Sequence, residues 1–189
     1  MSEITDQPIG SIDPVLRFNR PEALDDYMES LRDLTAIARI DRDTGTKTLE
    51  VYREDSNGEL REDELSPLQM HQFVRMGRFL RGVAESKRPD LTPITREVIV
   101  DCRRLRQGEA HRLHDWHIDA ARDRHGLRIP GPAAGSFVLC NHLPTEVEVD
   151  GQIDTIQASA VTEITGLKHR SPHNKDSTQH RLWAQILFG

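Results

Sequence analysis

Arg181-Leu-Trp-Ala-Gln-Ile-Leu-Phe188 belongs to the last of six short strand-like runs that decide the fold of this chain. Glycine and proline turn signals separate most of the runs, which span residues 95–106, 110–119, 135–142, 146–149, 153–165 and 179–188. Many short strands with turns between them are typical of β-sandwiches and jelly rolls. Because helical patterns precede the strands, the sequence predicts a mainly β, α+β protein in which a jelly roll packs against N-terminal helices.

Two helical patterns precede the strands. In the first, apolar residues recur at helical spacing from Leu24 to Leu34, and Pro21 opens the pattern. The second begins at Ser66-Pro67, where serine suits the N-cap and proline suits the first turn of a helix. We therefore expect two helices in the first half of the chain.

A hairpin signal lies between the two helical patterns, because residues 35–40 and 46–52 flank a turn that contains Gly45. Residues 53–65 are acidic and polar, and they predict a loop. A length of 189 residues suits one domain. The expected parts of that domain are an N-terminal arm, a helical and hairpin support region, and a jelly-roll core, at residues 1–20, 21–95 and 96–189.

The composition limits the classes of partner. The net charge is -6, with 36% hydrophobic and 30% charged residues, so the chain has enough apolar residues for one core. An acidic chain has no overall charge to attract nucleic acid or an anionic membrane. No run approaches the ~20 apolar residues of a membrane span, and the polar N-terminus does not resemble a signal peptide. Because Cys102 and Cys140 are too few for a disulfide framework, we expect a cytoplasmic protein with free thiols.

The segment Asp115-Trp-His-Ile-Asp119 carries the strongest chemical signal. Side chains two residues apart on a strand point to the same face, so we expect His117 and Asp119 on one face. Trp116 and Ile118 are then expected to face the core. An imidazole beside a carboxylate supplies two ligands of the 2-His-1-carboxylate triad, which holds Fe(II) and leaves positions open for other ligands. The third ligand is expected to be a distant histidine.

Four histidines later in the chain are candidates for the third ligand: His142, His169, His173 and His180. We select His169, because it follows an apolar strand-like run and precedes a polar turn. Arg181 begins the apolar part of the next strand, and pairing of two adjacent antiparallel strands would place it near His169. A planar guanidinium beside a metal ion suits a dicarboxylate whose other end binds the metal.

In order and spacing, these residues resemble the pattern of the Fe(II)/2-oxoglutarate-dependent oxygenase superfamily, which is His-x-Asp, a distal histidine and a basic residue on the last core strand. His117 and Asp119 are followed by His169, 50 residues after Asp119 (169 − 119), and Arg181 comes 12 residues later (181 − 169). The string from His169 to Pro172 is also similar to the segment around the distal ligand in that superfamily. The resemblance covers residues 96–189.

The resemblance implies a double-stranded β-helix in which His117, Asp119 and His169 bind Fe(II) and form a catalytic core. It also implies that Arg181 pairs with the distal carboxylate of the cosubstrate 2-oxoglutarate. O₂ would then be used to hydroxylate a substrate, which is a small metabolite, an amino acid or a peptidyl side chain.

One position departs from the pattern of the superfamily. Many members carry Ser or Thr two residues after the arginine, as a second hydrogen-bond donor to 2-oxoglutarate, whereas this chain has Trp183 there. Another donor is therefore needed. Asn141 and Thr145 are the candidate residues of the cosubstrate pocket.

Three alternatives stay open at this point. The first is a cupin-type metal enzyme that uses no 2-oxoglutarate, and the second is a jelly-roll ligand-binding module without catalysis. In the third, His111, His114 and His117 lie on a helix, where a spacing of three residues would stack them as a zinc site. The sequence also leaves a homodimer open, and it does not identify the substrate.

Overall fold

The fold is taken from a computed structural model. It describes residues 24, 29–40, 47–55, 57, 59–91, 96–110, 115–122, 127–141 and 143–189. The predicted N-terminal arm at residues 1–20, the hairpin turn around Gly45 and the candidate ligand His142 lie outside these residues. The same is true of His111 and His114, which belong to the alternative zinc site.

The described chain is mainly β, with one long α-helix. Helix α1 spans Pro67–Lys87, and two short 3₁₀ helices span Glu29–Leu31 and Pro89–Leu91. In chain order the strands are β1 (Leu34–Ile40), β2 (Lys47–Glu54), β3 (Leu60–Glu62), β4 (Arg96–Leu105), β5 (Ala120–Arg122), β6 (Arg128–Pro132), β7 (Gly135–Cys140), β8 (Glu146–Val149), β9 (Gln152–Thr155), β10 (Thr162–Glu163), β11 (Lys168–Arg170) and β12 (Gln179–Phe188).

Seven strands form one antiparallel sheet in the order β10-β7-β12-β4-β1-β2-β3. Strand β12 pairs with β4 along its whole length and with β7 on its other side. Because β1 pairs with β4, the predicted hairpin continues the same sheet as the predicted core. A smaller antiparallel sheet has the order β11-β8-β9, and β5 pairs with β6 in a two-stranded ribbon.

Apolar side chains cover both faces of the large sheet. On one face, alternate residues of β12 from Leu182 to Phe188 pack with β4, β7 and α1 in the main hydrophobic core. On the opposite face, Trp183 packs in a second cluster with Val138 of β7 and Val147 of β8. Val147 belongs to the small sheet, so the second cluster holds the two sheets together.

The start of α1 confirms the helix predicted from Ser66-Pro67. The Ser66 hydroxyl accepts a hydrogen bond from the backbone N–H of Gln69, and the Gln69 side chain accepts one from the backbone N–H of Ser66. This reciprocal pair is a capping box, and it satisfies two N–H groups that a helix start leaves open. Among the described residues, no helix is long and apolar enough to cross a membrane.

The prediction of one strand at residues 110–119 is wrong for the described part of that segment. Ala110 and His117 form only isolated bridges, and regular pairing begins at β5. The backbone of His117 bonds to His169, whereas the carbonyl of Asp119 accepts from the N–H of Ala133. Because the partner changes within two residues, no regular ladder forms here.

A single strand at residues 153–165 is also wrong. Strand β9 lies in the small sheet and β10 lies in the large sheet, so the chain must turn between them. Ser159 supplies part of the turn, with a left-handed backbone (φ 60) and an N–H that donates to the carbonyl of Cys140.

The first predicted helix does not extend to Leu34. Leu24 is helical, but Leu34 is the first residue of β1, and Asp33 before it has a left-handed backbone (φ 63) that ends any helix. The sequence also missed β3, which lies in the segment predicted as a polar loop, and the exposed ribbon strand β6.

The capping box predicts the effect of one substitution on stability. Ser66→Ala should lower the free energy of unfolding by about 1 kcal/mol, because the side-chain acceptor at the helix start is lost. Urea denaturation measures the change. Ser86→Ala, in the last turn of the same helix, is the control and should change stability by less than about 0.5 kcal/mol. Equal losses in the two variants would contradict the cap.

Candidate metal centre

Two backbone segments meet at His117 and His169. The N–H of His117 donates to the carbonyl oxygen of His169 at 3.0 Å, and the reverse bond measures 2.8 Å. His169 lies in β11, opposite Val147 of β8, so His117 extends the small sheet by one isolated bridge. Directly opposed residues project to the same face of a sheet. The two imidazole rings therefore lie side by side, with centroids 4.3 Å apart.

Each imidazole is oriented by a carbonyl two residues earlier in its own segment. His117 Nδ1 lies 2.8 Å from the carbonyl oxygen of Asp115, and His169 Nδ1 lies 2.9 Å from that of Leu167. A carbonyl only accepts, so both Nδ1 atoms carry a proton in these bonds, and in the neutral form of each ring the lone pair is on Nε2. Both Nε2 atoms are buried without a hydrogen-bond partner in the described structure.

Asp119 completes the cluster from the other side. One carboxylate oxygen, Oδ2, accepts from the Ser136 hydroxyl at 2.6 Å and from the Gln185 side-chain amide at 2.7 Å. The same Gln185 amide lies 2.9 Å from the Ser136 hydroxyl. Ser136 and Gln185 are almost wholly buried in β7 and β12 of the large sheet. The large sheet thus orients the carboxylate, whereas carbonyl groups of their own segments orient the two imidazoles.

The three side chains lie close enough to share one ion. One ligand atom from each of His117, Asp119 and His169 falls within 4.8 Å of the other two, and His169 Nε2 is 3.6 Å from Asp119 Oδ2. Ligand bonds to a first-row metal are about 2.0–2.2 Å long. Small side-chain rotations are therefore enough to bring all three onto one ion. Two imidazoles with one carboxylate suit a divalent transition metal, and the orphaned Nε2 atoms fit this role.

Burial makes His169 a neutral ligand. It lowers the pKa of His169 from its usual value, and neighbouring His117 lowers the pKa further. The Asp119 carboxylate and the bond to the Leu167 carbonyl act in the opposite direction but do not outweigh burial. The Nε2 lone pair is thus available to a metal at neutral pH.

The expected pairing between the strands of His169 and Arg181 is wrong. Strand β11 lies in the small sheet and β12 in the large sheet. Asn174 directs the chain from one sheet to the other, because its amide donates to the carbonyl of Leu105 at the end of β4 and its oxygen accepts from the side chain of Gln179.

Arg181 approaches the small sheet through Thr145. Its Nη2 lies 3.1 Å from the Thr145 hydroxyl, and Thr145 comes two residues before Val147, the pairing partner of His169. Two residues of extended chain cover about 6.8 Å. Arg181 also shares a face of β12 with Gln185, which contacts Asp119. Four residues of strand separate these two side chains, a span of about 13 Å.

The other predicted residues have different surroundings. Both ends of the Asn141 amide bond to the backbone of β12, since Oδ1 accepts from the N–H of Leu182 and Nδ2 donates to the carbonyl of His180. Among the alternative ligands, His173 bonds to the carbonyl of Gly108, and His180 lies 3.5 Å from Asp33. Neither belongs to the histidine and carboxylate cluster found in the described part of the chain.

Sequence reasoning missed Ser136 and Gln185. Each is a polar residue with apolar neighbours in its strand, and both are almost wholly buried. A buried polar side chain needs a partner, so a glutamine flanked by Ala184 and Ile186 signals a contact across the interior. The sequence does not say which residue that partner is.

Comparison with known proteins finds no family model and no curated protein that matches this chain.

Gln185 is expected to set the affinity of the site for a metal without touching the ion. Gln185→Leu should weaken binding of Co(II) by about tenfold, because residues that orient a ligand typically change affinity by 10–100-fold. Titration of the metal-free protein measures this. Gln179→Leu is the matched control, since Gln179 lies in the same strand but bonds to Asn174. Equal Co(II) affinities for the two variants would argue against the role of Gln185.

The lowered pKa of His169 predicts a loss of stability in acid. Below about pH 6.5, the unfolded chain binds a proton that folded His169 resists, so the metal-free protein should lose stability as pH falls from about 7 to 5. His169→Gln should reduce this slope, as measured by urea denaturation at several pH values. His173→Gln controls for the loss of a histidine elsewhere. An unchanged slope in His169→Gln would refute the prediction.

Proposed function

We propose that this chain is a non-haem Fe(II), 2-oxoglutarate-dependent oxygenase that hydroxylates a small metabolite, an amino acid or a peptidyl side chain. The observation that carries the proposal is the pair of buried, unbonded Nε2 atoms of His117 and His169 beside Asp119. A polar atom buried without a partner is costly, and a bound metal removes the cost. Two histidines and one carboxylate form the ligand set of non-haem Fe(II) oxygenases.

The strand order supports a double-stranded β-helix as the fold of the catalytic core. From β7 onward the chain alternates between the sheets: β7, β10 and β12 lie in the large sheet, and β8, β9 and β11 lie in the small one. Winding between two packed sheets is the architecture of a jelly roll. The apolar cluster around Trp183 and Val147 is the contact between the sheets.

The surroundings of Arg181 support 2-oxoglutarate as the cosubstrate. Arg181 is only 1% exposed, and its contacts in the described structure are neutral: the carbonyl of Leu143, the hydroxyl of Thr145 and the thiol of Cys140. By contrast, Arg103, opposite Arg181 in β4, pairs with Glu54. A buried guanidinium with only neutral acceptors favours an anionic ligand. A dicarboxylate can bind the metal at one end and Arg181 at the other.

Thr145 is our candidate for the second donor that the superfamily pattern requires. Its buried hydroxyl accepts from Arg181 Nη2 at 3.1 Å and lies 3.4 Å from the Cys140 sulfur. With the thiol as donor in the second contact, the hydroxyl keeps its own hydrogen for a carboxylate. Trp183, which stands where relatives carry Ser or Thr, instead packs between the sheets. In members of the superfamily, a Ser or Thr on the last strand donates the second hydrogen bond to 2-oxoglutarate. In this chain, Thr145 would donate it from the side of the small sheet.

When bound, Fe(II) and 2-oxoglutarate would supply, with O₂, the oxidising chemistry for hydroxylation. The residues of the chain supply position. The triad would hold the ion, and Arg181 with Thr145 would orient the cosubstrate. Ser136 and Gln185 hold the Asp119 carboxylate in place.

Anaerobic visible absorption tests the proposal. Fe(II) is added to the metal-free protein, and 2-oxoglutarate follows. We expect a weak charge-transfer band that requires both additions, because the keto acid then chelates the iron. His169→Ala should abolish the band. Iron binding without a band would contradict the cosubstrate and favour a cupin-type metal enzyme, and no metal binding would favour a ligand-binding module.

Titration of the same band with 2-oxoglutarate separates the proposed roles of Arg181 and Thr145. Arg181→Gln should raise the half-saturating concentration by about 10–100-fold, and Thr145→Val by about 3–10-fold, as expected for losing a charged and a neutral hydrogen bond. Arg103→Gln is the matched control, because the charge of Arg103 is already paired with Glu54. An unchanged titration in Arg181→Gln would refute its role.

A further inference from the structure

An aromatic contact on the outer face of the small sheet lies directly behind the two histidines. Lys168 and Arg170 flank His169 in β11, so they project to the face opposite the buried imidazole. Both cations lie over the ring of Trp116, the residue before His117. Arg170 Cζ is 4.6 Å from the ring centroid, and Lys168 Nζ is 5.9 Å away. These distances are within the range of cation–π attraction.

The two cations are themselves held by the next strand. Arg170 Nε lies 2.7 Å from Glu146 Oε2, and Lys168 Nζ lies 3.1 Å from Glu148 Oε2. Each pair is directly opposed in the register of β11 and β8. A row of contacts therefore runs from β8 through the cations of β11 to the indole of Trp116. The prediction that Trp116 and Ile118 face the core is wrong, because Trp116 is half-buried against these cations and Ile118 is exposed.

The segment of His117 needs such a contact, because little else aligns it with β11. In the described residues 115–119, His117 alone pairs with β11, through two backbone hydrogen bonds. A single isolated bridge leaves the segment free to open locally. The indole of Trp116, held beside that bridge, restricts sliding and opening between the His117 segment and β11. It thereby also keeps the two imidazoles from separating.

We propose that Trp116 is a positioning residue of the metal centre, whose indole, held by Arg170 and Lys168, keeps His117 in register with His169. The effect on metal binding rests on the proposed function. The effect on the backbone bridge does not, because the contacts behind the histidines involve no metal.

Hydrogen exchange of the metal-free, full-length protein is the first readout. Trp116→Leu should lower the protection of the His117 and His169 amides by about tenfold, whereas the amide of Ala184 in β12 should keep its protection. Trp116→Phe retains an aromatic face and should restore most of the protection. Ile118→Ala is the control, because Ile118 lies in the same segment, is exposed and has no part in the cation contacts.

Titration with Co(II) alone is the second readout. Trp116→Leu should weaken binding about tenfold, Trp116→Phe should bind nearly as the parent does, and Ile118→Ala should not change binding. Unchanged exchange and affinity in Trp116→Leu would overturn the proposal. Equal losses in the Leu and Phe variants would also overturn it, because ring-to-cation contact would then be irrelevant. If the parent chain binds no Co(II), the proposed function fails, and the exchange result alone decides the role of Trp116.

Discussion

Side chains alternate along β12, and this alternation is the constraint on which the rest of the structure depends. Leu182, Ala184, Ile186 and Phe188 enter the main core against α1, so the intervening residues are forced to the opposite face. Those residues include Arg181, Trp183 and Gln185, which all face the layer between the two sheets. A slip of one residue would bury the polar set against α1 and remove the contacts of Asp119 and Thr145 together. Packing of the core therefore fixes the chemistry of the opposite face.

Two opposite charges lie in that layer, a buried Arg181 and a largely buried Asp119, and neither is paired with the other. Asp119 is held by the hydroxyl of Ser136 and the amide of Gln185, and Arg181 by neutral acceptors near the start of β8. Burial of a charge is costly unless an opposite charge is close. Under the proposed function, a metal cation meets Asp119 and the free carboxylate of 2-oxoglutarate meets Arg181. Each of the two charges is then compensated by a bound ligand and not by the other side chain.

The sequence predicted those parts of the fold that depend on local patterns. Strand β8 and strand β12 have their predicted bounds, and α1 begins where Ser66 and Pro67 indicate. The irregular segment around His117 was not predictable, because its form depends on which distant backbone groups it meets, His169 first and Ala133 next. A periodic pattern carries no information about such a change of partner.

The same distinction applies to the candidate site. The cluster of His117, Asp119 and His169 was predictable from residue types and order, and the structure brings the three together even though the assumed strand is absent. The contacts that connect His169 with Arg181 were not predictable. They run through Thr145 and β8, whereas the sequence suggested a pair of neighbouring strands. Ser136 and Gln185 were visible only as polar residues inside apolar runs, without any indication of what they contact.

The hydrogen bonds of the three candidate ligands differ in origin, and the difference bears on how the site forms. Each histidine is oriented by a carbonyl of its own segment, so the proton position on the ring is set locally. Asp119, by contrast, depends on side chains of β7 and β12, which belong to the other sheet. The set of ligands is therefore complete only when the two sheets pack together. A metal that binds all three side chains must favour the state in which the sheets are packed over any state in which they separate. Metal binding would therefore stabilise the contact between the sheets around Trp183.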